Sequence, residues 1–215
     1  KIINKKNKSK IVCLTAYSKS FAKILDKYFH IILVGDSMAN VLYGLDSTHK
    51  ISLKNIIQHA QSVKKAISKS LLVVDMPKGT YQNKKQAKRN ARLVMKTTGC
   101  DAIKLESNNK NFDIIKDLIK NKIPVMGHVG YTPQFKKKFK LEGQTDIEAF
   151  KLLREATAIE KAGAFSIVLE CISAKTAKLI TNKLSIPTIG IGSSNFCDGQ
   201  ILVTDDMLGF SGFYP

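Results

Sequence analysis

The chain has 215 residues, 44% apolar and 24% charged, the balance of a soluble globular domain able to bury a sizeable core. No apolar run approaches the roughly 20 residues of a membrane helix, and no signal-peptide pattern stands near the start, so a membrane partner is not expected. The net charge of +18 invites a nucleic-acid reading, but the lysines are spread over every polar segment and no aromatics interleave them. The longest basic cluster, Lys136 to Lys138, is short. Charge this diffuse gives only non-specific attraction to nucleic acid, so no specific nucleic-acid partner is expected. Cys13, Cys100, Cys171 and Cys197 form no Cys-x-x-Cys pair and no zinc spacing. They read as reduced thiols of a cytoplasmic protein.

Taken in order, β-rich apolar runs alternate with helical patterns throughout. The first strand is Ile11 to Ala16, and Phe21, Ile24, Leu25 and Tyr28 follow at helical spacing. Ile31 to Val34 is a continuous apolar run that meets Gly35, Asp36 and Ser37, the pattern of a strand buried on both faces. After the connection Met38 to Ile51, Ser52 is positioned to cap a helix with the stripe Leu53, Ile56, Ile57, Ala60, Val63 and Ile67. The third strand, Leu71 to Asp75, ends in a carboxylate. A helix over Lys84 to Thr97 leads to the fourth strand, Ala102 to Leu105, closed by Glu106. Phe112, Ile115, Leu118 and Ile119 form the next helix face, before a fifth strand from Pro124 to Val129. The irregular stretch Tyr131 to Gln144 is long enough to suggest a functional or mobile loop. Thr145 to Glu148 is a capping box, and Gly163 ends its helix. Ser166 to Leu169, Ile186 to Ile191 and Gln200 to Val203 complete the strands, with a helix over Ala174 to Asn182.

Eight strands separated by helices predict a single (β/α)8 TIM barrel over residues 1–215, with its C-terminal helix missing or truncated. A doubly wound open sheet is the alternative. It calls for a phosphate-binding glycine after the first strand, where Thr15-Ala16-Tyr17-Ser18 has none.

In a barrel the strand C-termini ring one pocket, so Asp36, Asp75, Glu106, His128, Glu170 and the turn from Gly190 to Ser194 are expected to face it. Oxygen ligands with few His or Cys point to a hard cation, Mg2+ before Zn2+. A 2-oxo acid chelated there would have its carbonyl polarised and the adjacent carbon acidified, giving a metal-stabilised enolate. Lys104 is positioned to neutralise the substrate carboxylate. Glu170, expected to be buried with a raised pKa, suits a base that removes a C–H proton. Each residue also has a plain structural reading. Lys104 would pair with Glu106, and His128 would be a core histidine as readily as a substrate contact. Cys171 would be a small packed side chain, and Gly190 to Ser194 a turn rather than a phosphate cradle. His30, His49 and His59 lack ligand spacing, and Asp205 and Asp206 read as solvated turn residues or caps.

Several motifs occur in register: Val34-Gly35-Asp36-Ser37, Gly44-x-Asp46-Ser47-Thr48, Val74-Asp75-Met76-Pro77, Lys104-x-Glu106, Gly127-His128-Val129-Gly130-x-Thr132-Pro133-Gln134, Leu169-Glu170-Cys171, Ile189-Gly190-Ile191-Gly192 and Asp198-Gly199-Gln200-Ile201-Leu202-Val203. Through them the chain, from Lys10 to Gly212, resembles the ketopantoate (3-methyl-2-oxobutanoate) hydroxymethyltransferase family. The resemblance implies a barrel of the phosphoenolpyruvate mutase and isocitrate lyase type. It also implies transfer of a hydroxymethyl group from 5,10-methylenetetrahydrofolate to 3-methyl-2-oxobutanoate, giving 2-dehydropantoate at the first step of pantothenate synthesis. By position, Asp36, Asp75 and Glu106 would serve Mg2+, and Glu170 would be the proton acceptor. The keto acid would be held by Ser37, Asp75 and Lys104; with Asp36 and His128 these make the candidate substrate-binding set. The family is typically a large homo-oligomer, commonly a decamer. Two other functions compete: a Mg-dependent lyase of the same superfamily, whose Lys-Lys-Cys-Gly-His loop is absent from this sequence, and a basic RNA-binding scaffold.

Overall fold

The computed structural model describes residues 2–109, 111–136 and 138–212. Lys137, in the middle of the expected basic cluster, lies outside them. The strands are β1 Ile11–Thr15, β2 Ile31–Val34, β3 Leu71–Asp75, β4 Ala102–Glu106, β5 Val125–Gly130, β6 Ser166–Glu170, β7 Thr188–Ile191 and β8 Gly199–Leu202. Their helices are α1 Lys19–Leu25, α2 Met38–Val41, α3 Leu53–Lys64, α4 Lys84–Thr98, α5 Phe112–Lys120, α6 Asp146–Ala162, α7 Ala174–Lys183 and α8 Thr204–Met207. The strands run β1 to β8 in sequential order as a closed parallel barrel, which excludes the open doubly wound sheet.

The local rules act much as the sequence predicts. All residues of β2, β4 and β5 are buried, as strands covered on both faces must be. Ser52 caps α3 through a reciprocal capping box with Asn55. Thr145 caps α6 by accepting Glu148 N–H, but the Glu148 carboxylate takes Gln144 N–H instead of closing the box. Gly163 ends α6 with φ +102.

Other expectations shift by a residue or more. β5 starts at Val125 and β7 at Thr188, one residue beyond Pro124 and Pro187, because proline has no N–H for a ladder. β8 moves one residue earlier. β4 and β6 each run one residue further, so Glu106 and Glu170 are the last residues of their strands. The apolar face expected of α1 is mostly outside: Ala22 and Leu25 are buried, whereas Phe21, Ile24 and Tyr28 are exposed. A seven-residue helix has room to bury only two side chains of so wide a stripe. On α5 the buried face is Ile114, Ile115 and Leu118, with Phe112 and Ile119 at its margins.

Contacts group the chain into two compact units, Val12–Lys104 with Ile201–Pro215, and Lys1–Ile11 with Leu105–Gln200. In the first, Asp26 ties α1 to the entry of β3. Its carboxylate accepts the N–H groups of Ser68 (3.0 Å), Lys69 (3.0 Å) and Ser70 (2.8 Å), together with the Ser68 hydroxyl. Burial alone would push the Asp26 carboxyl up; the N–H groups of Ser70, Lys69 and Ser68 outweigh it and hold the carboxyl well below the usual range. In the second unit Asp198 plays the matching part. It pairs with Lys6 at 2.7 Å and accepts Thr188 N–H at 2.8 Å.

Candidate active site

In the unit Val12–Lys104 with Ile201–Pro215, the β3–β4 register sets Lys104 directly opposite Asp75. Lys104 Nζ donates to Asp75 Oδ1 at 2.6 Å, with side chains only 7% and 3% exposed. Asp75 Oδ2 accepts Asp36 N–H at 3.0 Å. One carboxylate therefore holds the backbone just past β2 and the cation on β4. Asp36 is itself buried. Lys104 thus has Asp75 as a partner, which the expected Lys104–Glu106 pairing did not include. Alternation along the strand puts Lys104 and Glu106 on one face.

Ser37 follows as the residue before α2, and its Oγ lies 2.8 Å from the Tyr17 hydroxyl. Tyr17 is buried two residues past the end of β1. Burial pushes its phenol up, against the hydrogen bonds of Ser37 and Thr15. It therefore stays a neutral phenol at physiological pH. Sequence reasoning missed Tyr17: the turn after β1 was searched only for glycine, although a strand-end tyrosine was the available signal.

In the unit Lys1–Ile11 with Leu105–Gln200, Glu106 is 1% exposed and its Oε2 accepts Gln134 N–H at 2.9 Å. His128 on β5 has Nε2 3.1 Å from Glu170 Oε2 and Nδ1 3.9 Å from Glu106 Oε1. The β5–β6 register pairs Gly130 with Glu170 and His128 with Val168, making His128 and Glu170 diagonal neighbours. Glu170 is half-buried rather than enclosed, its side chain 20% exposed. Gly130 has φ +98, and a Cβ there would run into the Glu170 carbonyl and Ile172. Burial, then the charges of Glu170 and Glu106, push the Tyr131 phenol up, a sign of the negative field around these acids.

The loop 131–144 is fastened beside this group. Lys136 Nζ reaches Gly130 O and Glu142 Oε1, both at 2.8 Å, and Glu142 forms a parallel bridge with Ile172. Cys171 sits at φ 50, and burial followed by the Glu170 charge pushes its thiol up to about 12, which excludes a thiolate nucleophile at neutral pH. The turn from Gly190 to Ser194 is structural: Ser193 Oγ donates to Leu169 O at 2.6 Å and accepts Ile172 N–H at 3.2 Å. His30 accepts Val12 N–H, and His59 bonds Tyr17 O and Tyr43.

Among the described residues, no group of three or more His, Cys, Asp or Glu side chains is gathered to hold a metal ion. Mg2+ does not need three: one or two carboxylates with several waters is its usual shell. Asp36 and Asp75, both buried and joined through the Asp36 N–H, offer oxygen donors only, the chemistry that fits such an ion.

A closed parallel barrel of this kind is found in solved structures. A 2,3-dimethylmalate lyase, described as a PEP mutase/isocitrate lyase superfamily member, matches with a TM-score of 0.73 at 15% identity, over 97% of this chain and 80% of the other. A phosphonopyruvate hydrolase, solved in complex with oxalate and Mg++, matches with a TM-score of 0.73 at 11% identity, over 98% and 81%. These likenesses give the fold.

The chain itself belongs to the ketopantoate hydroxymethyltransferase family, whose profile matches residues 1–215. A protein of Pelagibacter ubique (strain HTCC1062) named 3-methyl-2-oxobutanoate hydroxymethyltransferase is 53% identical over 209 residues, 97% of this chain and 81% of the relative. One of the same name from Anaplasma marginale (strain St. Maries) is 48% identical over 214 residues, 98% and 77%. The chain is by family a transferase.

Proposed function

We propose that this transferase moves a hydroxymethyl group from 5,10-methylenetetrahydrofolate to 3-methyl-2-oxobutanoate, giving 2-dehydropantoate in the first step of pantothenate synthesis. Beside family membership, the observation that carries the reading is Glu170 at the end of β6 with His128 Nε2 3.1 Å away. A partly exposed carboxylate in contact with an imidazole is equipped to take and return a proton.

Asp36, Asp75 and Glu106 would hold Mg2+, which supplies Lewis-acid polarisation of the keto oxygen when bound. Lys104, already held by Asp75, places its ammonium against the substrate carboxylate. Ser37, steadied by Tyr17, and Asp36 and Asp75 orient the keto acid, with His128 as a further contact. Glu170 takes the proton from C3 of the keto acid, leaving the electron pair as an enolate. The enolate carbon forms a bond to the donor's methylene carbon. The methylene loses its bonds to the two donor nitrogens, and water supplies the hydroxyl oxygen. The second proton of that water and the proton held on Glu170 end on the two donor nitrogens, and tetrahydrofolate leaves.

The proposal extends to a cytoplasmic homo-oligomer with no specific nucleic-acid or membrane partner. Its support is four free, buried cysteines, no helix long and apolar enough to cross a membrane among the described residues, and exposed apolar side chains such as Ile147 and Phe150 on α6. Sedimentation of the protein at micromolar concentration would return a monomer if the assembly is wrong.

The chemistry is tested in D2O with Mg2+ and the keto acid, without folate. The C3 proton signal should disappear, and a chelator should stop the exchange. Adding the folate donor should then yield 2-dehydropantoate. Protein that exchanges no C3 proton under these conditions contradicts the reading.

A further inference from the structure

Within the unit Val12–Lys104 with Ile201–Pro215 a cavity of about 430 Å³ opens beside Ser37. That volume is in the range of small-molecule sites, roughly 300–1,000 Å³. One wall is Ser37, Asn40 and Val41; the other comes from the segment after β8, with Asp205, Asp206 and Phe210. The sequence reading of these two aspartates as solvated turn residues is incomplete: both are partly buried, in and beside a one-turn helix.

The lining is rich in acceptors and poor in donors. Two carboxylates can only accept hydrogen bonds. Asn40 has its amide nitrogen committed to Leu45 O at 2.7 Å, which leaves its oxygen for a ligand. Burial, with Asp206 beside it, raises the Asp205 carboxyl, as in a wall partly withdrawn from water. Phe210 is 71% exposed and offers a flat aromatic face. Such a cavity repels anions. It suits a flat heterocycle carrying adjacent N–H groups, because one carboxylate can accept two parallel hydrogen bonds from them.

The cavity also shares Ser37 with the residues assigned to the keto acid. A donor must present its one-carbon unit to the carbon beside the keto group, so its ring must bind next to that acid. We propose that this cavity holds the pterin ring of the one-carbon donor, with Asp205 accepting from the 2-amino group and ring N3–H, and Phe210 covering the ring face. The proposal rests on the hydroxymethyl-transfer reading above. It assigns the cavity the pterin end of the molecule and turns the anionic glutamate tail away from it.

The test uses 6-methyltetrahydropterin, which lacks that tail, titrated calorimetrically into wild type, Asp205→Asn and Phe210→Ala with Mg2+ and keto acid present. Wild type should bind it, and each substitution should weaken binding about tenfold. The rate of product formation from the folate donor, divided by the rate of folate-free C3 exchange, should fall by a similar factor. Phe210→Ala removes an exposed ring, so it stays informative if Asp205→Asn fails to fold. Wild type that exchanges the C3 proton but does not bind the pterin overturns the proposal and leaves the transfer reading standing. So do variants that bind the pterin as wild type does. Wild type that exchanges no C3 proton overturns both.

Discussion

The acid that ends β3 and the acid that ends β6 occupy equivalent places along their strands and have opposite surroundings. Asp75 has both oxygens committed, one to the Lys104 ammonium and one to Asp36 N–H. Its charge is pinned, which suits holding a cation or a substrate. Glu170 has an imidazole nitrogen at 3.1 Å and keeps part of its side chain in solvent. Its oxygen faces an imidazole rather than an ammonium. Glu106 stands between the two cases: fully buried, held by a backbone N–H and facing the far nitrogen of His128. Placement at a strand end makes an acid available for chemistry; its partner decides which chemistry.

Breaking the pinned side should have the largest effect on stability. Lys104→Met leaves Asp75 buried without its cation and should destabilise the protein by about 3–5 kcal/mol, read by thermal melting. Lys104→Met combined with Asp75→Asn should recover much of that loss. A single variant that melts like wild type would show that the pair does not carry the proposed charge balance.

On the other side, the contact between β5 and β6 is steric before it is electrostatic. Gly130→Ala drives a Cβ toward the Glu170 carbonyl at a positive φ and should lose about 2–4 kcal/mol in urea unfolding. C3 exchange should fall with it, because the backbone carrying Glu170 must move.

Asp26 is a pinned acid far from chemistry and separates charge holding from catalysis. Its carboxyl is depressed in the folded state, so its contribution is complete above the unfolded value of about 4 and fades as pH falls through the folded one. Asp26→Asn should lose about 2 kcal/mol at neutral pH. The gap from wild type should shrink steadily below about pH 4. A gap that widens on acidification would reverse the sign of the argument. The smallest effect is expected at Cys171, beside Glu170 but protonated at neutral pH. Cys171→Ala should leave C3 exchange within about twofold, since a thiol with so high a pKa offers no nucleophile.

Much of this was legible in the sequence because parallel strands buried on both faces leave continuous β-branched runs, and their ends mark where polar side chains emerge. Asp36, Asp75, Lys104, Glu106 and Glu170 were expected at or near strand ends, and the structure places them there. What escaped depends on neighbours rather than on runs. The partner of Lys104 is fixed by the β3–β4 register, and no local pattern states that register. The nearness of His128 to Glu170 follows from the β5–β6 register in the same way. The group holding Glu106 is a backbone N–H, that of Gln134, which side-chain chemistry cannot announce. The helical spacing of Phe21, Ile24 and Tyr28 left their burial open, and all three are exposed, because periodicity does not say how much of a short helix its neighbours cover. Asp205 and Asp206 were passed over for a similar reason: a four-residue helix gives no periodic signal, and their cavity is made with α2, far away in sequence.

The contrast between a fixed and a labile carboxylate is tested most directly by the C3 exchange rate of Glu170→Gln, measured with Mg2+ and 3-methyl-2-oxobutanoate, and by keto-acid affinity determined on the same sample. Exchange reduced by about a hundredfold or more, with affinity changed only a few-fold, is the predicted result. Exchange at the wild-type rate would contradict the assignment of Glu170 as the group that takes the proton.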